Sequence, residues 1–345
     1  MIPITKVLVI DDSELARKAL KYGLMKDPYI DVVGCAGDPY TARDQIVLLR
    51  PDVLTLDVDM PRMDGLEFLR KLMPQFPVPT IMVSALTERG AKITLEALEA
   101  GAVDFVTKPR AGTGFSLDTM LLELRTKVKI AATVNVSHWK NRKSELFKYA
   151  VQRKGRGSID ETIIAIGAST GGTEAIKQVL MGMPSDCPGV VVVQHMPEKF
   201  TRTFAQRLNT ICDMNVKEAE HGDRVESGQV LVAPGNRHME VVRIGQRYEV
   251  QLKDGVNVSG HKPSVDVLMR SVAQCAAERG RGVLLTGMGA DGAKGLLEMK
   301  KAGAKTFAQD EKSSVVFGMP KRALECGAVD SLLPLDRIAE YVMAS

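Results

Sequence analysis

Short β-branched runs recur along the first third of the chain, and the gaps between them carry apolar residues at helical spacing. Lys6–Ile10 (KVLVI), Val32–Ala36, Val53–Leu56, Thr80–Val83 and Val103–Thr107 read as buried strands. Ser13 to Met25, with Leu15, Ala19, Leu20 and Leu24 at helical spacing, and stretches near 40–49, 65–73, 89–100 and 116–130 read as helices. Five βα units predict a parallel sheet with helices on both faces, joined by right-handed crossovers. Ligands of such sheets sit beyond the carboxyl ends of the strands. In the second half, Thr162 begins a strand that meets a Gly-rich turn and then a helix-like run to Met181, while Val190–Val193 and Gly282–Thr286 are further apolar strands.

Composition narrows the class without naming a function. The chain has 345 residues, 45% hydrophobic and 26% charged, which is ordinary for a globular protein and long enough for two cores. No apolar run reaches about 18 residues, so no membrane insertion is expected. Met1 to Ile10 lacks the basic start, apolar stretch and cleavage site of an export signal, which predicts a cytoplasmic protein. Cys35, Cys187, Cys212, Cys275 and Cys326 are odd in number, scattered and free of C-x-x-C spacing, so buried free thiols are expected. The net charge of +4 changes meaning once divided. Residues 1–124 hold 14 Lys/Arg against 18 Asp/Glu, residues 125–160 hold 10 against 2, and residues 161–345 hold 22 of each. The expected layout is an acidic first module (1–124), a basic linker (125–160) and a neutral second module (161–345).

The polar residues at the first module's strand ends form a constellation. Asp11 and Asp12 follow the first strand, Asp57 ends the third, Ser84 the fourth, and Lys108 with Pro109 the fifth. Three converging carboxylates repel one another, and a hard divalent cation such as Mg²⁺ removes that repulsion. Lys108 adds a positive charge and Ser84 a hydroxyl, a set suited to a phosphoryl group transferred to a carboxylate. The pieces V-L-V-I-D-D-S (7–13), D-V-D-M-P-x-M-D-G (57–65), S-A (84–85) and K-P (108–109) resemble the receiver domain of two-component response regulators, a flavodoxin-like (βα)5 fold. The resemblance implies that Asp57 is the phosphoacceptor, that Asp11, Asp12 and Asp57 bind Mg²⁺, and that Ser84 and Lys108 are switch residues. Phe105 matches the usual aromatic switch position, and its run Val103–Val106 also reads as core.

In the linker, Leu121 to Ala132 continues a helix, and Trp139, Leu146, Phe147 and Ala150 fall on one helical face. A basic amphipathic stretch suits a nucleic acid, a membrane surface or an acidic protein, and equally a solvated connector docked on a neighbouring domain.

The second module opens on Gly167-Ala-Ser169-Thr-Gly171, which fits G-x-S-x-G, a strand–turn–helix elbow exposing a nucleophilic Ser. The same residues also read as a phosphate-cradling turn, or as a turn with Ser169 as helix N-cap. The P-loop Lys and the full G-x-G-x-x-G spacing are missing. Val190–Val193 delivers His195 beyond its carboxyl end, and Asp291 follows the strand Gly282–Thr286. Strands about 4.8 Å apart would bring Ser169, His195 and Asp291 within reach as nucleophile, base and orienting acid. The order Ser, His, Asp differs from the Ser, acid, His order of α/β-hydrolases, so the triad would be convergent. Among the other histidines, His138 lies in the linker, His221 and His238 in turn-rich stretches where surface or loop roles are commoner, and His261 in a candidate cleft loop. None is spaced for a metal site.

The motifs G-A-S-T-G-G (167–172), Q-H-M (194–196), A-P-G-x-x-H (233–238), H-K-P-S-V-D (261–266), T-G-M-G-x-D-G (286–292) and V-F-G-M-P (316–320) resemble the catalytic domain of the CheB-type protein-glutamate methylesterases of chemotaxis. The resemblance implies a doubly wound, mostly parallel α/β domain with an antiparallel hairpin, which Val241–Ile244 and Tyr248–Leu252 around Gly245-Gln246 would form. It implies a phosphorylation-activated esterase that hydrolyses glutamate methyl esters on chemoreceptors, releases methanol, and deamidates specific receptor glutamines. The triad would be Ser169, His195 and Asp291, with the backbone N–H groups of Thr170 and Met288 as oxyanion donors and no cofactor in this half. Expected partners are methyl-accepting chemotaxis receptors and the histidine kinase CheA, with no nucleic acid, and the chain is expected to be a monomer. Rival readings are a transcriptional regulator, a nucleotide-binding switch resting on Gly167–Gly172, and a catalytically dead esterase scaffold. The neutral second module without a helix-turn-helix pattern counts against the first.

Overall fold

The computed structural model describes residues 3–109, 116–140 and 162–345. The chain divides into two compact units, Met1–Leu146 and Phe147–Ser345.

The first unit is a five-stranded parallel sheet in the order β2-β1-β3-β4-β5, with β1 (Thr5–Ile10), β2 (Ile30–Ala36), β3 (Val53–Asp57), β4 (Thr80–Ala85) and β5 (Asp104–Lys108). Between them run α1 (Glu14–Leu24), α2 (Pro39–Leu49), α3 (Gly65–Leu72) and α4 (Glu88–Glu99), and α5 (Leu117–Ala131) closes the unit. Each helix opens on a side-chain cap: Ser13, Asp38, Asp64, Thr87 and Ser116 accept from the first-turn N–H groups. The strands are buried on both faces because helices cover both, so they read as near-continuous apolar runs.

Two expectations need correction here, on Leu15 and on the cysteines. Leu15 does not face the core: it is 78% exposed, and α1 buries Leu20, Gly23 and Leu24 instead. The helix expected to continue from Leu121 to Ala132 runs as α5 to Ala131, past the expected linker start at 125, because Leu124, Val128 and Ala131 still bury. The chain beyond it also returns to the first unit, where the Trp139 ring lies against Gly101. Among the cysteines, all free, Cys187 is buried, Cys35, Cys212 and Cys275 are half-buried and Cys326 is exposed at the end of a helix. Finally, Leu146, Phe147 and Ala150 of the expected amphipathic face lie outside the described residues.

The second unit is a seven-stranded sheet, parallel throughout, in the order β14-β13-β12-β6-β7-β9-β8. Its strands are β6 (Ile163–Ala168), β7 (Gly189–Gln194), β8 (Asn215–Glu218), β9 (Gln229–Val232), β12 (Gly280–Leu284), β13 (Lys305–Gln309) and β14 (Ser331–Leu333). The helices are α6 (Gly172–Met181), α7 (Phe200–Ile211), α8 (Val265–Ala276), α9 (Ala293–Lys301), α10 (Met319–Glu325) and α11 (Leu335–Ala344). β10 (His238–Ile244) and β11 (Arg247–Lys253) form the antiparallel hairpin as a separate two-stranded sheet. Its apolar positions Met239, Val241, Tyr248, Val250 and Leu252 join Leu268, Met269 and Val272 of α8 in one core. β6 pairs with β7 on one side and β12 on the other, so the strand order winds outward in opposite directions from β6 while the strands stay parallel. That switch point is where doubly wound sheets open a crevice. No described helix is long and apolar enough to cross a membrane.

Candidate functional site

Three strand ends of the second unit meet at that crevice. Ser169 follows β6 and opens the turn into α6, where Gly171 takes the left-handed conformation (φ +76) open to glycine without strain. The turn is fixed from two neighbours. The Ser169 N–H donates to the carbonyl of Thr286 at 3.0 Å, and the Ser169 carbonyl accepts from the Gly172 N–H at 2.7 Å and from Gln194 Nε2 at 3.0 Å. Thr286 Oγ1 also donates to the Thr170 carbonyl at 3.0 Å.

His195 follows β7, and its Nε2 lies 2.8 Å from Oδ2 of Asp291. Asp291 is itself buried at the N-terminus of α8. Its Oδ1 accepts from Ser264 Oγ (2.8 Å) and the Asp266 N–H (2.9 Å), and its Oδ2 accepts from the Val265 N–H (2.8 Å). Burial alone would raise its pKa, but the His195 imidazole and these donors outweigh it and hold the carboxyl below its ordinary value. The other ring nitrogen, Nδ1, is buried without a hydrogen-bond partner among the described residues, so the expected Ser169–His195 bond is not closed. One face of the ring is covered by His261, stacked at 3.7 Å between centroids and 9° between planes.

Thr170 is buried and Met288 is exposed. Met288 is preceded by Gly287, whose N–H donates to Val316 (3.0 Å) and whose carbonyl accepts from Gly318 (3.2 Å) and Met319 (2.8 Å). The two segments named for oxyanion donors therefore border Ser169 on fixed backbone: a Cβ on Gly287 would lie 2.7 Å from that of Ser169.

The first unit brings its own strand ends together. Asp11 and Asp57 are buried, Asp12 is exposed, and one oxygen of each lies within 4.8 Å of the others. Lys108 Nζ bridges Asp11 (2.9 Å) and Asp57 (2.8 Å). Burial pushes the Asp57 carboxyl up to about 6; Lys108 opposes that and the charge of Asp11 adds to it. The Lys108 ammonium is raised, because its two carboxylates outweigh its own desolvation. A buried cluster carrying more carboxylate than cation, with only hard oxygen donors, fits a small divalent ion such as Mg²⁺. Ser84 is fully buried at the end of β4, and Phe105 is buried beneath Lys127, whose Nζ sits 5.3 Å from the ring centre.

Both units match known protein families. Residues 164–342 match the family described as CheB methylesterase, and residues 7–114 match the response regulator receiver domain. The chain is 55% identical to a protein-glutamate methylesterase/protein-glutamine glutaminase of Syntrophotalea carbinolica, over 98% of this chain and 96% of that one. A relative of the same description from Sulfurimonas denitrificans is 53% identical, over 96% of each. The chain belongs to the CheB methylesterase family. The solved catalytic domain of Thermotoga maritima CheB is 36% identical, covers 53% of this chain and 97% of its own, and superposes with a TM-score of 0.52.

Within this CheB architecture, sequence reading missed the supports. Gln194, buried at the end of β7, holds the Ser169 carbonyl, and the Q-H-M motif was its only signal. Ser264 and Asp266 hold Asp291 from 25 or more positions away. Arg17 of α1 donates from Nη1 to the carbonyls of Asp11 (2.8 Å) and Asp12 (2.9 Å), fixing the acidic turn. His238, expected in a surface or loop role, is buried at the start of β10, where it bonds the 256–264 segment.

Proposed function

We propose that this CheB-family chain is a phosphorylation-activated protein-glutamate methylesterase and protein-glutamine glutaminase acting on chemoreceptors. The observation that carries the reading is the His195–Asp291 pair at 2.8 Å, set beside Ser169 on neighbouring strand ends of one parallel sheet.

Ser169 Oγ attacks the ester carbonyl, and its proton passes to His195. With Nε2 held by Asp291, Nδ1 is the nitrogen left to take that proton. The oxyanion develops against the backbone N–H groups of Thr170 and Met288. Collapse breaks the carbon–methoxy bond, the proton moves from His195 to the leaving oxygen, and methanol departs. Water then attacks the acyl-enzyme, giving its proton to His195, and the free glutamate leaves as Ser169 recovers its hydrogen. A glutamine substrate follows the same path with ammonia leaving.

In the receiver, Asp57 is the phosphoacceptor and Ser84 and Lys108 sense the phosphoryl group. Mg²⁺ held by Asp11, Asp12 and Asp57 would neutralise phosphoryl oxygen charge. Phosphorylation, with the histidine kinase CheA as donor, relieves inhibition of the esterase half, in a cytoplasmic monomer.

The test is methanol release from methylated receptor membranes, with and without phosphodonor. Ser169→Ala should lower kcat by about 10⁴-fold or more, and Asp57→Asn should abolish stimulation by phosphodonor while leaving the basal rate. Esterase activity retained in Ser169→Ala would overturn the assignment.

A further inference from the structure

We propose that His238 is a positioning residue for the esterase reaction: one buried imidazole staples both ends of the loop that presses on the triad from behind. The proposal rests on the assignment of Ser169, His195 and Asp291 as the reacting set.

His238 opens β10 and is 5% exposed. Its Nε2 lies 3.0 Å from the carbonyl of Val256, and its Nδ1 lies 3.3 Å from the N–H of Ser264. A carbonyl only accepts and a backbone N–H only donates, so the partners fix the tautomer: the proton sits on Nε2, Nδ1 is bare and the ring is neutral. The two anchor points are the two ends of the 256–264 segment.

That segment needs anchoring. Val256 is 84% exposed, and Ser259 and Gly260 both take positive φ, at 52° and 86°. The segment holds itself with a reciprocal pair of backbone bonds between Val258 and His261, both 3.0 Å. It reaches the rest of the fold through Ser259 Oγ on Asp266 (2.8 Å) and Lys262 Nζ on the Gly255 carbonyl (2.9 Å). Its tip carries His261, whose ring is stacked on His195. Its far end is Ser264, which caps α8 and gives both its hydroxyl and the following N–H groups to Asp291. The staple therefore fixes two things together: the ring that limits rotation of the base, and the helix end that aims the acid. His238 touches neither Ser169 nor any reacting atom, and its effect on the rate passes through these neighbours. A displacement of about 1 Å in such supports costs on the order of 100-fold in rate.

The side-chain amides of Asn and Gln dissect the staple. In His238→Asn the amide oxygen superposes on Nδ1 and keeps the bond from Ser264; in His238→Gln the amide nitrogen superposes on Nε2 and keeps the bond to Val256. His238→Ala keeps neither. The experiment measures methanol release by the full-length protein with phosphodonor, per active site titrated with a fluorophosphonate, beside Tm. The expected result is a kcat roughly 10–100-fold lower in His238→Ala with KM within about twofold of wild type, and partial recovery in both Asn and Gln variants. The rate of fluorophosphonate labelling should fall in the same order. Wild-type kcat per active site in the Asn and Gln variants, whatever their Tm, overturns the proposal, as does a rise in KM alone. If His238→Ala does not fold, the Asn and Gln variants decide. A wild-type protein that releases no methanol and takes no label at Ser169 overturns the esterase reading itself, a separate failure.

Discussion

At the scale of single residues, Asp57 and Asp291 show how one side chain acquires opposite tendencies from its surroundings. Asp291 is buried yet sits on a helix N-terminus against an imidazole, and stays below its ordinary value. Asp57 is buried among carboxylates with one ammonium nearby, and rises from 3.8 to about 6. The sign matters for linkage. A carboxyl raised in the folded state binds its proton more tightly there than when unfolded, so the metal-free receiver loses stability as pH climbs from about 4 to about 6. Above that window the carboxylate is charged and ready for a cation; below it, a proton competes for the same oxygens. Millimolar Mg²⁺ should therefore raise the receiver's Tm clearly at pH 7.5 and far less at pH 5, read by differential scanning fluorimetry across that range. Equal shifts at both pH values would remove Asp57 from the cation site.

At the scale of elements, helix starts carry the chemistry, and one glycine shows the tolerance. Gly65 is the first residue of α3, directly after the cap Asp64, and its N–H donates to the Val58 carbonyl at 3.0 Å. A Cβ at Gly65 would lie 2.1 Å from the Asp57 carbonyl oxygen, which is backbone and has nowhere to go. Gly65→Ala gains up to about 1 kcal/mol in helix propensity and loses about 1–3 kcal/mol or more to overpacking. The variant should melt lower and bind Mg²⁺ more weakly, while the basal esterase rate stays within about twofold. An unchanged Tm would mean that α3 can shift at its start. The strand ends were legible from the sequence because parallel strands buried on both faces are short apolar runs, and the polar residue that ends each run stands out. That alone placed Asp11, Asp57, Lys108, Ser169 and His195. The supports were not legible. Ser264 reaches Asp291 across 27 positions, and Gln194, His238 and Arg17 act through backbone carbonyls and N–H groups. Such partners are chosen by packing and leave no spacing to read. His238 misled further, because a turn-rich stretch carries no mark of the hairpin that buries its first residue.

At the scale of the molecule, the two units each close a core of their own, and the charge division follows them. The acidic residues 1–124 contain the Asp cluster, the neutral residues 161–345 contain Ser169, His195 and Asp291, and the positive excess lies in residues 125–160. Part of that excess belongs to the receiver: the half-buried Lys127 pairs with Asp104 (3.0 Å) and Glu123 (2.9 Å), and Lys129 pairs with Asp27 at 2.6 Å. The basic stretch is thus partly spent on fastening α5 to an acidic unit, which weakens any case for nucleic acid. Because the second unit carries a seven-stranded sheet with helices and a hairpin of its own, residues 155–345 should fold alone. If the unphosphorylated receiver restrains the esterase, that fragment should release methanol faster than the full chain without phosphodonor. A complete switch from 1:99 to 99:1 needs about 5.5 kcal/mol of differential stability, so a partial gain of roughly 5–100-fold, worth about 1–3 kcal/mol of coupling, is the expected range. Phosphodonor should bring the full chain toward the fragment's rate and leave the fragment unchanged. Equal rates for fragment and unphosphorylated full chain would show that the receiver acts by delivering the enzyme to its substrate rather than by restraining it.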